Sequence, residues 1–308
     1  PTEHTVLAMR ARELRRHPIV PGDLVSLVGD TTGGPDSLAR LVRIEERSTL
    51  LRRSADDTDP VERVVVANID QVVVVVAAAD PEPRPGFIDR AMVAAHDAGI
   101  APVLVITKAD LREPDDLVST YAPLGVEVIV SRRGEGEDDE AGSMPVNGEA
   151  LVRLREVLDG RISTLLGHSG VGKSTLVNAL TGAGRATGDV NAVTGRGRHT
   201  SSSSIALRMI DAQPGTWIID TPGVRSFGLA HVSPEGVVDA FEDLVPATSD
   251  CPRGCTHMDD SPGCALDAWV EDGHAGKHGD ARLASLRKLL SSRVDAVDDV
   301  KELGDGGS

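Results

Sequence analysis

Short apolar segments separated by turn residues make up the first 66 residues of the chain. Residues 24–28, 38–44 and 61–67 are apolar or alternate between apolar and polar positions, and turn-forming residues at 21–23 and 31–35 separate them. Several short strands at this spacing are typical of a small barrel. The pattern therefore predicts an N-terminal β-barrel domain over residues 1–66.

After residue 67 the pattern changes to β-branched runs that alternate with helical segments. The runs lie at 72–79, 101–106, 126–130, 162–166, 205–210 and 216–219, and the predicted helices at 86–99, 149–158 and 174–180. Strands that alternate with helices build a parallel sheet covered on both faces. We expect a doubly wound α/β domain over residues 67–232.

The remaining residues, 233–308, predict a helical domain around three closely spaced cysteines. Residues 281–290 form one of its helical segments, and the polar sequence beyond about residue 294 predicts a frayed tail. A second polar segment, 132–147, carries five acidic residues at 135–140 and predicts a solvated connection within the α/β domain.

Composition excludes several classes of protein. Apolar residues make up 40% of the 308 residues, which is ordinary for a globular chain. The longest apolar run, 72–79, has eight residues, whereas a membrane helix needs about 20. Nothing at the start of the sequence resembles a secretion signal. We therefore expect a cytoplasmic protein with no membrane partner.

A phosphate-binding loop is predicted at residues 167–174, which match G-x-x-x-x-G-K-[ST] between an apolar strand and a helix. The glycines let backbone N–H groups converge on phosphate oxygens at a helix N-terminus. Lys173 would pair with the β and γ phosphates, and the Ser174 hydroxyl would ligate Mg²⁺. The nucleotide-binding residues predicted here are Gly167, His168, Ser169, Gly170, Val171, Gly172, Lys173, Ser174 and Thr175.

Two further segments match elements that sense the γ phosphate. Asp220 and Gly223 form a D-x-x-G element after the strand at 216–219. Asp220 would act through a Mg²⁺-bound water, and the Gly223 N–H would reach the γ phosphate. Residues 195–200, rich in glycine and arginine, suit a mobile switch in which Thr200 would offer Mg²⁺ a second hydroxyl ligand.

The candidate base reader follows the strand at 101–106 and consists of Thr107, Lys108, Ala109 and Asp110. An Asp carboxylate can accept both the N1–H and the N2–H₂ of guanine, whereas adenine offers no such pair. The Lys108 stem would lie along the base, and Ser131 would add a backbone contact to the guanine oxygen. The sequence therefore favours GTP and GDP over ATP.

The order of these motifs is permuted. Ordinary GTPases run from the phosphate loop through the switches to the base reader, whereas here the base reader precedes the phosphate loop. Because the termini of a domain are often adjacent, a permuted chain can build the same site. The D-x-x-G element then leads directly into the C-terminal segment, so that nucleotide state could be passed to it.

Cys251, Cys255, His257 and Cys264 form the pattern C-x₃-C-x-H-x₆-C. Four ligands of this kind suit tetrahedral Zn²⁺ and leave no open position for a catalytic water. We predict one structural zinc ion, which would contribute roughly 10–16 kcal/mol to local folding. His274 and His278 lie nearby in sequence, and we rank them below these four residues as possible ligands.

Together these residues resemble the circularly permuted, ribosome small-subunit-dependent GTPases of the RsgA/YjeQ family. The likeness extends to residues 20–23 and 47–52 in the barrel and to 67–71 and 88–90 in the α/β domain. It implies an N-terminal OB-fold, a central GTPase domain and a C-terminal helical zinc-binding domain. It also implies binding to the 30S subunit late in assembly, with GTP hydrolysis stimulated there and coupled to release. We expect a monomer that contacts 16S rRNA.

The chain departs from the family pattern at three places. Thr107 stands where many members have Asn, which would soften guanine affinity, and the cysteine spacing of x₃ and x₆ differs from the common x₄ and x₅. No aromatic residue precedes Phe87, so contact with rRNA would rest on phosphate and shape rather than base stacking.

The catalytic residues predicted are Lys173, Thr200 and His199. Val224 follows Gly223 where Ras-like enzymes have the Gln that orients water, so slow intrinsic hydrolysis is expected. His199, beside Thr200 in the switch, is the candidate for positioning water once the ribosome orders that segment.

The net charge of −16 argues against a nucleic-acid partner, but its distribution changes that inference. Residues 4–53 carry nine arginines and only six acidic residues. Because charges act over a Debye length of about 8–10 Å, a local basic patch can still bind RNA phosphate.

Two alternatives to a ribosome-dependent GTPase remain open from the sequence. The first is a P-loop ATPase with an incidental zinc module, which competition between GTP and ATP would identify. The second is a non-enzymatic scaffold that binds zinc and RNA, which would show no stimulation of GTP turnover by 30S subunits.

Overall fold

The N-terminal part of the computed structural model consists of short strands in two small sheets. The structure describes residues 4–54, 63–133, 146–183, 204–221 and 228–304. Strands β1 (Ala8–Arg10), β2 (Val25–Gly29) and β3 (Ala39–Ile44) pair in the order β1-β3-β2, and β4 (Leu50–Arg53) pairs with β5 (Arg63–Ala67). The three predicted strands are present, and β1 and β4 are additional. Within these described ranges the strands form two separate sheets, which does not establish a closed OB-fold barrel.

A polar junction joins this N-terminal part to the rest of the molecule. The Arg47 guanidinium donates to both carboxylate oxygens of Asp23, at 2.7 and 2.9 Å. Asn68, in the left-handed region at φ 52°, donates from its amide to the carbonyl of Gly22 and accepts from the backbone N–H of Ser48, each at 2.8 Å. Three segments separated in sequence thus meet around Asn68.

A six-stranded sheet forms the centre of the molecule. Its strands are β6 (Gln71–Ala77), β7 (Ala101–Thr107), β8 (Glu127–Val130), β9 (Ile162–Leu166), β10 (Ile205–Arg208) and β11 (Trp217–Asp220). They lie in the order β10-β11-β9-β6-β7-β8, and only β10 runs antiparallel to its neighbour. The predicted α/β sheet is confirmed, and each strand end lies within two residues of its predicted position.

Helices cover both faces of this sheet. Val73 and Val75 of β6 face one core together with α3 (Gly148–Leu158) and α4 (Lys173–Thr181). Val72, Val74 and Val76 face the other core with α1 (Pro85–Asp97) and α2 (Asp115–Tyr121), a helix absent from the sequence prediction. Because both faces are buried, β6 is apolar at consecutive positions rather than at alternate ones.

The C-terminal helices share the second of these cores. Phe241, Leu266 and Leu286 lie in the same buried cluster as the side chains of β6 and α1. The elements here are α5 (Pro234–Asp239), a 3₁₀ helix (Val245–Asp250), α6 (Ala265–Glu271) and α7 (Gly279–Gly304). The C-terminal segment therefore packs directly on the α/β sheet.

The prediction of a helix ending at Leu290 and a frayed tail beyond residue 294 was wrong for most of that tail. Helix α7 begins at Gly279 and spans 26 residues, so that it ends at Gly304. The physical reason is visible in the sequence, because Val294, Val297 and Val300 recur at helical spacing and no proline or glycine interrupts them. Within the described residues, no helix is both long and apolar enough to cross a membrane.

Candidate nucleotide site and metal centre

The phosphate loop lies where β9 passes into α4. A Cβ on Gly167 would lie 2.3 Å from the carbonyl oxygen of Val75, so only glycine fits against β6 there. Gly172, at φ 92°, precedes the helix and turns the loop into α4. Both glycines are therefore required by local geometry, and the loop amides lie at the N-terminus of α4, a place suited to anions.

Lys173 is held inside this loop. Its ammonium donates to the carbonyls of Gly167 and His168, at 2.6 and 2.7 Å. Burial lowers the pKa of Lys173, and the nearby Asp220 carboxylate opposes that shift. Asp220 is 8% exposed at the end of β11 and Lys173 begins α4, so an acid and a base from separate elements meet at the loop.

The His168 side chain packs sideways against α1. Its ring centroid lies 4.5 Å from that of Phe87. Burial lowers the pKa of His168, with smaller contributions from Arg84 and Lys173, so the imidazole favours its neutral form.

Residues 107–110 reach the same edge of the sheet from β7. The Thr107 hydroxyl lies 2.7 Å from the carbonyl oxygen of Val171 in the phosphate loop and 3.2 Å from that of Val76. Lys108, at φ 54°, donates from its ammonium to the carbonyl of Asp80. The Asp110 carboxylate accepts from the backbone N–H of Arg133 at 2.8 Å. The predicted base reader and phosphate loop are thus brought together despite their permuted order.

The backbone of Ser131 lies beside the predicted base reader. Its backbone N–H donates to the carbonyl of Ile106 at 2.7 Å, and its carbonyl accepts from the N–H of Ala109 at 3.1 Å. Both backbone groups of Ser131 thus hold the turn at 107–110 against β8, and its contact with the guanine oxygen stays a prediction.

Three predicted residues lie outside the described residues. These are Gly223, His199 and Thr200. Ser174 and Thr175 are half-buried in the first turn of α4, on the same helix as Lys173.

The three cysteines and one histidine of the predicted metal site come together between the 3₁₀ helix at 245–250 and α6. The ligand atoms of Cys251, Cys255, His257 and Cys264 all lie within 4.8 Å of one another. His257 Nδ1 is 3.6 Å from the sulfur of Cys251 and 3.8 Å from that of Cys264. These separations match the edges of a tetrahedron whose metal–sulfur bonds are about 2.3 Å long. The donor set therefore fits a metal ion.

The surroundings also suit such an ion. The backbone N–H of Ala265 points at the Cys251 sulfur at 3.3 Å, and Arg287 donates to the carbonyl of His257 at 3.1 Å. Burial lowers the pKa of His257, which keeps the imidazole neutral and able to ligate. Burial raises the pKa of the Cys264 thiol to about 11, so without a positive ion the thiolate is unfavourable.

The two lower-ranked candidate ligands, His274 and His278, lie outside the cysteine cluster. The His278 Nε2 is 2.8 Å from the Ser119 hydroxyl of α2, and the His274 ring stacks on Trp269 at 4.4 Å. Neither belongs to the cysteine cluster.

Comparison with known proteins places this arrangement in a family. A family model described as RsgA GTPase matches residues 44–230. The chain belongs to the RsgA GTPase family. A relative from Pseudomonas aeruginosa named "Small ribosomal subunit biogenesis GTPase RsgA" is 38% identical over 282 residues, covering 89% of this chain and 76% of the relative. A relative of the same name from Pseudomonas putida is 38% identical over 240 residues, covering 75% of this chain and 64% of the relative.

Solved structures agree with this assignment to the RsgA GTPases. The crystal structure of YjeQ from Thermotoga maritima is 26% identical with a TM-score of 0.65, and the match covers 94% of this chain and 90% of that one. The structure of YloQ, titled a circularly permuted GTPase, has the same fold, with a TM-score of 0.63 at 23% identity over 94% of this chain and 86% of that one.

A buried ionic network that the sequence does not predict links α1 to the C-terminal helices. The Arg282 guanidinium of α7 contacts the carboxylate of Asp89 on α1 at 2.8 Å and that of Asp243 at 3.2 Å. The Tyr121 hydroxyl lies 3.1 Å from Asp89, and Ser285 also donates to that carboxylate. Burial raises the pKa of Asp89, and the charge of Arg282 opposes the shift. Only the resemblance at 88–90 drew attention to Asp89, and no sequence signal paired it with Arg282.

Proposed function

We propose that this chain acts in the biogenesis of the small ribosomal subunit as a GTPase that binds the 30S subunit in its GTP state. Subunit contact stimulates hydrolysis of GTP to GDP, and hydrolysis is coupled to release. The observation that carries the proposal is the 2.7 Å contact between Thr107 and Val171, which joins the guanine reader to the phosphate loop. The names of the relatives support the choice of partner.

In this proposal each residue of the site has a role. Asp110 accepts from guanine, oriented by the N–H of Arg133. Lys173 leaves its loop carbonyls for the phosphates of the nucleotide, since a charge-assisted contact to phosphate is stronger than one to a neutral carbonyl. Mg²⁺ neutralises phosphate charge when bound, and Ser174, Thr200 and Asp220 are the residues that would hold it. His199 positions the attacking water, and the Gly223 N–H contacts the γ phosphate.

The cysteine cluster holds a structural Zn²⁺ in this proposal. Three thiolates and one imidazole are the ligands that zinc prefers, and they fill its tetrahedral shell, so the ion has no position for substrate. The N-terminal β region contacts 16S rRNA through its arginines, and the protein acts as a cytoplasmic monomer.

The decisive experiment measures GTP turnover by the purified chain with and without 30S subunits, with ATP as competitor. We expect slow turnover alone, at least tenfold stimulation by subunits, and no displacement of GTP by equimolar ATP. Lys173→Ala should abolish nucleotide binding or turnover. His199→Ala should bind GTP normally and lose the stimulation. Preferential ATP binding, or turnover indifferent to subunits, would contradict the proposal.

A further inference from the structure

A pocket of about 330 Å³ lies between the phosphate loop and the start of α1. Every residue that lines it belongs to the described ranges. His168 and Ser169 line it from the loop, Phe87 lines it from α1, and Arg84 lines it from the segment that enters this helix. Burial and, next, the positive charge of Arg84 lower the pKa of His168, so the guanidinium lies near the loop. The pocket therefore joins an exposed arginine to a loop suited to phosphate.

This pocket lies toward the end of the loop that serves the terminal phosphates. The Lys173 ammonium, the group expected to pair with the β and γ phosphates, donates to the carbonyl of His168 at 2.7 Å. The base reader contacts the loop farther along, where the Thr107 hydroxyl lies 2.7 Å from the carbonyl oxygen of Val171. The base and the γ phosphate are opposite ends of a nucleoside triphosphate. Because Arg84 approaches the loop at His168, it borders the γ-phosphate end of the site.

The acidic residues next to this arginine have cationic partners of their own. The Glu82 carboxylate accepts from the Arg112 guanidinium at 2.7 Å, and the Asp80 carboxylate lies 4.0 Å from the Lys108 ammonium. Among the residues that the structure describes, the Arg84 guanidinium has no ion pair. Within that part of the chain, Arg84 is therefore available to an anion held at the phosphate loop.

Prolines restrict the backbone on both sides of this arginine. Pro83 precedes Arg84 and Pro85 follows it, and a proline restricts both its own φ and the conformation of the residue before it. Arg84 is accordingly extended, at φ −117° and ψ 93°, and Pro85 begins α1. In the first turn of this helix, the Phe87 ring lies 4.5 Å from that of His168, measured between centroids. The backbone of Arg84 is thus set beside the loop before any phosphate binds.

An arginine at this place suits the hydrolysis of a nucleoside triphosphate. In that reaction the water oxygen bonds to the γ phosphorus, and the bond from this phosphorus to the β–γ bridging oxygen breaks. The electron pair of the broken bond stays on the bridging oxygen of the diphosphate, and both hydrogens of the water leave with the phosphate product. The transition state spreads negative charge over the γ oxygens, and an arginine of the same chain can stabilise it. A guanidinium offers two parallel N–H donors to phosphate oxygens.

We propose that Arg84 is a catalytic residue of the GTPase, and that its guanidinium contacts the γ phosphate and stabilises the charge of the transition state. The inference rests on the proposed function, because it assigns a role at the same nucleotide site. The segment between β6 and α1 supplies this arginine in cis, so it acts in the isolated chain as well as on the 30S subunit.

The test compares Arg84→Ala with Arg153→Ala, which removes another exposed arginine of the α/β domain. Single-turnover hydrolysis of bound GTP is measured with Mg²⁺, without and with saturating 30S subunits. We expect Arg84→Ala to lose at least about tenfold in both rates, with GDP affinity within about threefold of wild type. Arg153→Ala should keep both rates within about twofold, as is usual for surface substitutions. Because Arg84 is exposed, its variant should keep the wild-type Tm.

Two results of these rate measurements would overturn the proposal. One is a wild-type rate in Arg84→Ala under both conditions. The other is a change confined to the subunit concentration that gives half-maximal stimulation, the result expected if Arg84 contacts the subunit instead of the nucleotide. Arg84→Gln keeps most of the length of the side chain, and the same criteria apply to it if Arg84→Ala does not fold.

A transition-state analogue separates catalysis from ordinary phosphate binding. GDP with aluminium fluoride imitates the γ phosphoryl group during transfer, whereas GDP alone has nothing at that position. In the presence of Mg²⁺ and 30S subunits, we expect Arg84→Ala to weaken binding of the analogue at least about tenfold more than binding of GDP. An equal loss for the two ligands would mean that Arg84 supports the site as a whole, and it would contradict a catalytic role.

Failure of the proposed function gives a different pattern. If wild-type protein hydrolyses GTP but 30S subunits do not stimulate it, the proposed function fails, and the intrinsic rates still decide the role of Arg84. If subunits stimulate wild type and Arg84→Ala to the same rate, only the role of Arg84 fails. Wild-type protein that hydrolyses no GTP under either condition would overturn both.

Discussion

At the scale of single residues, Thr107 links the two halves of the nucleotide site. Its hydroxyl lies within hydrogen-bond distance of two carbonyl oxygens, Val171 in the phosphate loop and Val76 in β6. The side chain is 6% exposed, so solvent cannot replace these contacts. A threonine thereby fixes the position of Asp110 relative to the phosphate loop.

Replacing this hydroxyl should weaken guanine nucleotide binding. Thr107→Val preserves the shape but removes the donor, and a lost buried hydrogen bond costs about 0.5–1.5 kcal/mol. We expect GDP affinity to fall about tenfold, as measured by fluorescence titration with a labelled nucleotide. Thr107→Ser keeps the hydroxyl and should bind GDP within about threefold of wild type. Equal affinity for the two variants would show that the hydroxyl does not position the site.

At the scale of elements, the cysteine cluster organises the chain between the 3₁₀ helix at 245–250 and α6. This segment has few apolar residues of its own, and its described contacts are largely those of Cys251, Cys264 and Arg287. We therefore expect metal ligation to substitute for a local hydrophobic core, as in other small metal modules.

Removal of the metal should destabilise this element selectively. Cys255→Ser is expected to lose the single zinc ion and to lower Tm by more than about 10 °C, because a structural zinc contributes roughly 10–16 kcal/mol. His274→Ala lies beside the cluster in sequence but outside it in space, and it should retain one zinc per chain. Zinc content and thermal unfolding measure both. A zinc-free His274→Ala protein would place that histidine among the ligands.

At the scale of the whole molecule, the Arg282 network fastens the C-terminal helices to the GTPase sheet. Arg282, Asp89 and Asp243 are almost fully buried, and the Arg282 guanidinium also lies 4.2 Å above the Phe241 ring. Ions buried in this way are costly unless each is paired, so the network requires all its members at once.

Removing the cation should therefore destabilise the protein strongly. Arg282→Met leaves two buried carboxylates unpaired and is expected to cost about 3–5 kcal/mol in urea unfolding. Arg153→Met on α3 removes an arginine whose ion pairs are solvent-exposed, and it should cost about 0–1 kcal/mol. A similar cost for the two variants would contradict a fastening role for Arg282.

Much of the fold could be predicted from the sequence because local patterns encode it. The runs of β-branched residues in β6 and β7 identify buried strands wherever they occur, and the glycines of residues 167–172 identify a phosphate loop by the conformations they permit. The prediction failed at α2, because a helix of seven residues is too short to show a clear hydrophobic period. It also failed at the end of α7, where a mostly polar composition concealed valines at helical spacing.

The sequence by itself determined most strands and helices of the α/β domain, the match to a phosphate loop, and which four residues can bind a metal. Only the tertiary structure decided how distant parts meet: Thr107 with Val171 across 64 residues, Arg282 with Asp89 across 193, and Ala230 with Ser54 across 176. The physical reason is that ligand type and hydrophobic period are local properties. Contacts between distant residues depend instead on strand order and helix packing, which only the folded chain fixes.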